Sequence, residues 1–238
     1  MRFPINSDLL VQARAALSRR EGLYWIVGGA GSGKTTVCRV LSARLGMPVY
    51  DMDAHIYGAY HSRFTQERHP VNWAWSTAPN ALAWLLDMSG DEFDSFNRAA
   101  LPEYLDLLAE DLDATEGGVG VLIDGGISNP ALIAQVISAR QMVCLASPEG
   151  SSARAWEEDD ERQSMKQAVD QLPRPEEAWR KFLEFDDRIT ATILRQCLKS
   201  HIPVCPRDET ASADELAERV ARVLGFASPP SRQTTSRR

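Results

Sequence analysis

Gly28-Gly29-Ala30-Gly31-Ser32-Gly33-Lys34-Thr35 spells GxxxxGK[ST], and its flanks put the pattern where its physics requires. Before it, 23–27 (Leu-Tyr-Trp-Ile-Val) is a short apolar run suited to a buried parallel strand. After it, Val37, Val40, Leu41 and Leu45 recur at helical spacing. Strand, glycine-rich turn and helix in that order make a phosphate-binding loop. The glycines let backbone N–H groups converge on phosphate oxygens, and the helix N-terminus adds partial positive charge. Gly28, Gly29, Ala30, Gly31, Ser32, Gly33, Lys34, Thr35 and Thr36 are therefore the expected nucleotide contacts. Lys34 would reach the outer phosphates of ATP as a catalytic cation, and the Thr35 hydroxyl would ligate Mg²⁺.

Composition narrows what such a loop can serve. The 238 residues are 44% hydrophobic and 25% charged, which suits one α/β domain with a sizeable insertion. The formal charge is −7, from 33 acidic against 26 basic residues, so the electrostatic footprint for nucleic acid is missing. No apolar stretch approaches the ~18 residues of a membrane span, and the N-terminus lacks a signal-peptide core. Cys38, Cys144, Cys197 and Cys205 show no metal-ligand spacing; Cys144 and Cys205, within apolar strand-like runs, read as small buried hydrophobes, and a reducing, cytoplasmic setting fits. A monomer or homodimer is expected, with a small-molecule acceptor rather than nucleic acid or membrane as partner.

Five strand candidates, 23–27, 48–50, 119–123, 141–146 and 201–205, alternate with helical patterns, the signature of a doubly wound parallel sheet. Ser7 can cap a first helix running to about Arg20, and 213–224 reads as a last amphipathic helix stopped by Gly225. The second and third strands are separated by far more chain than a crossover needs. Residues 54–116 are thus expected to form a helical substrate-binding insertion, with helices at 80–88 and 91–112. A second excursion, 148–174, is the expected lid, and 228–238 is expected to be a disordered tail after a single 1–227 domain. The helix at 176–200 shows an apolar stripe of Trp179, Phe182, Leu183, Ile189, Ile193 and Cys197 and reads as core alone. Trp73 and Trp75 read first as packing inside the insertion, with stacking on an acceptor as the alternative. His55, His61 and His69 match no usual metal-ligand spacing.

Two acidic patterns surround the loop. Asp51-Met52-Asp53 follows the second strand, and alternation along a strand would point both carboxylates the same way. If that strand neighbours the loop strand, both face the terminal phosphate, one toward Mg²⁺ and one toward an attacking hydroxyl. A helix cap followed by a first-turn carboxylate is the plainer alternative. Val121-Leu122-Ile123-Asp124-Gly125-Gly126 is an apolar strand ending in an acid that would sit across from Thr35 and help hold the metal. Gly125 and Gly126 leave room for a ligand at exposed backbone N–H groups. In the lid, Arg154 and Arg162 flank an acidic run. They read either as neutralisers of the transferring phosphoryl group or as i,i+4 partners of Glu158.

GGAGSGKTT, then VYDMDAHI, then VLIDGG, together resemble the shikimate-kinase-like and nucleoside-monophosphate-kinase-like group of P-loop kinases. The resemblance covers about 23–55, 119–126 and 201–224. It implies a five-stranded parallel sheet in kinase-type order 2-3-1-4-5, with ATP and Mg²⁺ as cofactors. It implies Asp51 as the Mg²⁺-side acid, Asp53 as the acid or base that orients substrate, and Gly125 and Gly126 as substrate-facing turn residues. Pro206-Arg207-Asp208-Glu209-Thr210 is similar to the loop that packs on adenine in this group, which makes Arg207 a nucleotide contact. No Arg follows the Asp-Gly pair, and the lid region is acidic, which weighs against nucleotide and shikimate acceptors. The expected activity is transfer of the γ-phosphoryl group of ATP to a hydroxyl of a small metabolite. A nucleoside or nucleotide kinase and a regulatory ATPase that binds a protein partner through the insertion are the alternatives.

Overall fold

The computed structural model describes residues 3–114, 120–126, 128–148, 151–158, 162–208 and 210–226. The expected tail at 228–238, acidic residues 159–161, Glu209, and insertion and lid positions 115–116 and 149–150 lie outside the described residues, as does the Glu158 side chain.

Five parallel strands carry the fold: β1 (Leu23–Gly28), β2 (Val49–Asp51), β3 (Val121–Asp124), β4 (Met142–Ala146) and β5 (Val204–Pro206). They pair in the order β2-β3-β1-β4-β5. Because every strand is parallel, all five carboxyl ends open on one edge of the sheet. That edge is where open α/β sheets bind ligands. Side chains alternate across the sheet and so feed two cores. Ile26, Leu122, Val143 and Leu145 face α2 (Lys34–Leu45) and α11 (Ala213–Val223). Trp25, Val27, Ile123 and Cys144 face the other side, where α1 (Ser7–Leu17), α6 (Gly90–Asp113) and α10 (Pro175–Lys199) pack. The sheet is doubly wound as its pattern implied.

Local chemistry sets the helix ends. Asn6, not Ser7, caps α1: its side chain accepts from Leu9 N, and the helix stops at Leu17 rather than near Arg20. Ser89 with Glu92, and Ser212 with Glu215, close reciprocal capping boxes at the starts of α6 and α11, each worth about 1 kcal/mol. Between β2 and β3 the chain forms α3 (Met52–Ile56), α4 (Pro70–Ser76), α5 (Ala81–Leu86) and α6. Glu103 of α6 is fully buried and accepts from Val71 N (3.0 Å), Asn72 N (2.8 Å) and Asn72 Nδ2 (2.8 Å). This carboxylate satisfies the first N–H groups of α4, a helix whose N-cap His69 makes no side-chain cap. Trp75 is buried in the core and Trp73 packs at its margin, so both serve the packing role. His69 donates toward Asp106 at 3.0 Å, and Arg68 grips the same carboxylate through two nitrogens.

The short α7 (Pro130–Ile133) lies between β3 and β4, and after β4 come α8 (Ser151–Glu158), α9 (Gln163–Asp170) and then α10, which runs back beneath the loop that follows β1. No helix among the described residues is long and apolar enough to cross a membrane.

Candidate functional site

The phosphate loop is held open by glycine geometry and closed from below by neighbours. Gly31 (φ 71°) and Gly33 (φ 88°) occupy the left-handed region, and Gly33 heads α2 with no side-chain cap. The first N–H groups of α2 are thus left for a ligand, with the helix dipole behind them. Lys34 Nζ donates to the Gly29 carbonyl at 3.1 Å, which folds the ammonium back over the loop. Arg207, just past β5, hydrogen-bonds the Gly31 carbonyl while its own N–H donates to Ala146 O at 2.7 Å. It braces the loop through a side chain and ties β5 to β4 through its backbone. Asp208 closes the following turn onto Thr210, accepting from its hydroxyl at 3.0 Å.

The three candidate acids take different positions. Asp124 ends β3 in register with Ile26 on one side and Asp51 on the other. Its side chain is buried, and its Oδ1 finds no hydrogen-bond partner among the described residues. Burial pushes the carboxyl up, and hydrogen bonding from Thr35 together with the Lys34 charge pulls it back. An orphaned carboxylate oxygen beside a threonine hydroxyl is what a hard, oxygen-seeking cation would complete, so these residues fit Mg²⁺. Asp51 spends its Oδ1 on the N-terminus of α3, accepting from Ala54 N at 3.0 Å, and stays exposed beside Asp124.

Asp53 arrives by a different route from the one alternation suggests. β2 is not next to β1, because β3 lies between them. β2 also ends at Asp51, so Asp53 sits in the first turn of α3 and strand alternation does not govern it. The helix turn nonetheless delivers it to the loop. A Cβ built on Gly125 would stand 3.0 Å from both Asp53 Oδ2 and Lys34 Cε. The acid, the lysine and the Gly125 backbone therefore share one small volume. Asp53 is open to the water of the cleft yet ringed by protein, and that crowding pushes its carboxyl up to about 6. Lys34 and Arg162 pull the other way; Asp124 and Asp51 add to the rise.

Both turn glycines are sterically required. Gly125 (φ 62°) and Gly126 (φ 72°) adopt left-handed conformations, and any side chain on Gly126 would collide with Met52. The Trp25 indole donates to the Gly125 carbonyl at 3.2 Å and fixes the turn against β1. Of the two lid arginines, Arg154 lies on an exposed face of α8. Arg162 lies over the Trp156 ring (4.9 Å) and within electrostatic reach of Asp53 and Asp186.

Four further residues border this cleft without having drawn attention in the sequence. Tyr57 follows α3, 64% exposed as a residue, its ring edge-on to Trp75. Tyr104 of α6 is buried and lies within electrostatic reach of Tyr57, Glu103 and Asp53. Asp186 of α10 accepts from the Ser152 hydroxyl of α8. Thr190, one turn beyond Asp186, abuts Gly29 so tightly that a Cβ there would overlap its side chain. The 176–200 stretch therefore does more than pack. Asp186, Thr190, Ile193 and Cys197 fall at i, i+4, i+7 and i+11, and that face runs from α8 past the phosphate loop to β4. The polar members of the stripe were the available signal.

Searches by sequence find no matching protein family and no matching curated protein. Among solved structures, the fold is similar to TT1252 from Thermus thermophilus, with 19% identity and a TM-score of 0.50 over 89% of this chain and 100% of that one. It is also similar to shikimate kinase from Acinetobacter baumannii in complex with shikimate, at 17% identity, a TM-score of 0.44, and coverage of 89% and 96%. A sugar kinase from Janibacter sp. HTCC2649 matches at 14% identity, a TM-score of 0.38, and coverage of 87% and 96%. The class that sheet order and loop define is a P-loop, kinase-type α/β fold.

Proposed function

We propose that this protein is an ATP- and Mg²⁺-dependent phosphotransferase that moves the γ-phosphoryl group to a hydroxyl of a small metabolite. One juxtaposition carries the reading: a carboxylate, Asp53, shares its volume with the phosphate-loop lysine and with the left-handed Gly125 turn. A nucleotide switch needs no acid at that position, whereas a phosphotransferase needs one to orient its acceptor.

The roles follow from the positions. Loop N–H groups and Lys34 would hold the β- and γ-phosphates. Mg²⁺, held by Thr35 and Asp124 with Asp51 alongside, would offset the charge of the phosphate oxygens. Asp53 would accept a hydrogen bond from the acceptor hydroxyl and aim its oxygen at phosphorus. As the new O–P bond forms and the bond to the ADP oxygen breaks, the hydroxyl proton passes to Asp53. Arg162, already near Asp53, would neutralise charge on the phosphoryl group in transit.

The test is ADP release with and without candidate acceptors. Stimulation by a hydroxylated metabolite, with its phosphate ester as product, is the expected outcome. ADP release that responds to no metabolite but rises with a protein partner would overturn the reading in favour of a regulatory ATPase.

A further inference from the structure

The hydroxyl of Thr190 is out of place for a residue well inside a helix. A helical threonine commonly turns its Oγ1 back to the carbonyl three or four residues earlier. Thr190 of α10 does not: its Oγ1 is buried and finds no hydrogen-bond partner among the described residues. An unpaired buried hydroxyl costs stability, so its position calls for a reason. It lies against the phosphate loop. The first atom that a Cβ on Gly29 would meet is Thr190 Oγ1, and the next two also belong to Thr190.

Gly29 explains why the hydroxyl is idle. This residue is buried, and its carbonyl accepts from Lys34 Nζ at 3.1 Å and from Ser32 N at 3.3 Å. A carbonyl oxygen has two lone pairs, so both are taken. The same two donors belong to the set that a bound phosphate claims, which is the loop N–H groups and the lysine. Phosphate binding therefore draws partners away from the Gly29 carbonyl. A buried carbonyl deprived of them needs another donor, and Thr190 carries a free one in contact with the same residue.

We propose that Thr190 is the replacement donor of the phosphate loop. When Lys34 turns to the triphosphate, the Thr190 hydroxyl donates to the Gly29 carbonyl in its place. The exchange rearranges hydrogen bonds and transfers no proton. Thr190 is a positioning residue, because it acts on the nucleotide through Gly29 and Lys34. It frees the lysine without stranding a buried acceptor, and it ties α10 to the nucleotide-bound shape of the loop. The inference requires only that the loop bind a triphosphate, whichever acceptor takes the phosphoryl group.

The test compares Thr190→Val, which keeps the shape and removes the hydroxyl, with Thr190→Ser, which keeps the hydroxyl. The full chain is titrated with a non-hydrolysable ATP analogue and Mg²⁺ by calorimetry, and melted with and without the analogue. Thr190→Val should leave the melting temperature of the nucleotide-free protein unchanged or raised, since it removes an unpaired hydroxyl. It should weaken analogue binding about fivefold, with a smaller nucleotide-induced rise in melting temperature. Thr190→Ala should weaken binding to a similar extent, and Thr190→Ser should bind as the native chain does. On a Lys34→Ala background the carbonyl lacks its lysine with no nucleotide present. There Thr190→Val should lower the nucleotide-free melting temperature by about 2–4 °C, an effect absent when Lys34 is in place. Unchanged analogue affinity in Thr190→Val would overturn the proposal, as would a loss that Thr190→Ser shares. A nucleotide-free melting temperature that falls equally with and without Lys34 would also overturn it, leaving the hydroxyl a structural contact alone. ADP release that no metabolite stimulates, beside the expected binding results, would sink the phosphotransferase reading and leave this one standing.

Discussion

The two ends of the cleft are built in opposite ways. At the phosphate end, the groups that face the ligand are main-chain N–H groups and a lysine drawn from eight consecutive residues, 28–35. At the far end the side chains gathered near Asp53 come from four elements: Asp53 and Tyr57 around α3, Tyr104 on α6, Arg162 at the start of α9, and Asp186 on α10. Backbone recognition of a phosphate requires a fixed loop shape, which only a short contiguous pattern can give. Side-chain recognition requires only that the fold bring distant residues together, and it leaves no pattern along the chain. The phosphate end should therefore fail all at once when its lysine is removed. The far end should yield in separable steps.

Four substitutions probe that contrast. Lys34→Ala should cost the most, roughly 10³-fold or more in turnover, or about 4 kcal/mol of barrier, with the melting temperature nearly unchanged. Activity retained at near native levels would break the assignment of the phosphate end. Asp53→Asn should lower kcat about 10²-fold and leave ATP affinity within about threefold, because the proposed role of the acid is toward the acceptor. A matching loss of ATP affinity would join the two ends that the comparison separates. Glu103→Ala strands the first N–H groups of α4 and should destabilise the protein by about 2 kcal/mol, read by denaturant unfolding. At temperatures where the variant stays folded, its ATP affinity should match that of the native chain. The smallest effect belongs to Ser152→Ala, which releases Asp186 from α8. A loss of about 1 kcal/mol in denaturant unfolding, with kcat and ATP affinity unchanged, is expected. A larger fall in kcat than in affinity would place Ser152 nearer the chemistry than its contact with Asp186 implies.

The sheet was largely legible because its strands are short apolar runs with glycine or acid at their ends. Val27-Gly28 and Ile123-Asp124 mark their own termini. β5 was misplaced by three residues at its start for a physical reason. His201, at φ 54°, and Ile202, whose N–H bonds Cys197 O, are spent on closing α10 before the chain can extend. The paired acids were legible as a pair but not in their geometry. Alternation governs a strand, and β2 gives way to a helix between Asp51 and Asp53. Asp186 and Thr190 were hidden because single polar residues in an apolar helical stripe look like its margin. Tyr57 was hidden because nothing local distinguishes an aromatic that lines a cleft from one that fills a core.

Thr190 against Gly29 bears on how the GxxxxGK[ST] pattern itself should be understood in this chain. Its second position is nominally free, since phosphate chemistry makes no demand on the side chain there. In this molecule that freedom is gone. The glycine is imposed by a helix more than a hundred and fifty residues away in sequence, which leaves no space for even a methyl group. Positions 29 and 190 thus form one steric unit, in which bulk added at either is bulk taken from the other. The phosphate loop thus answers to α10 beneath it as well as to its own glycine pattern.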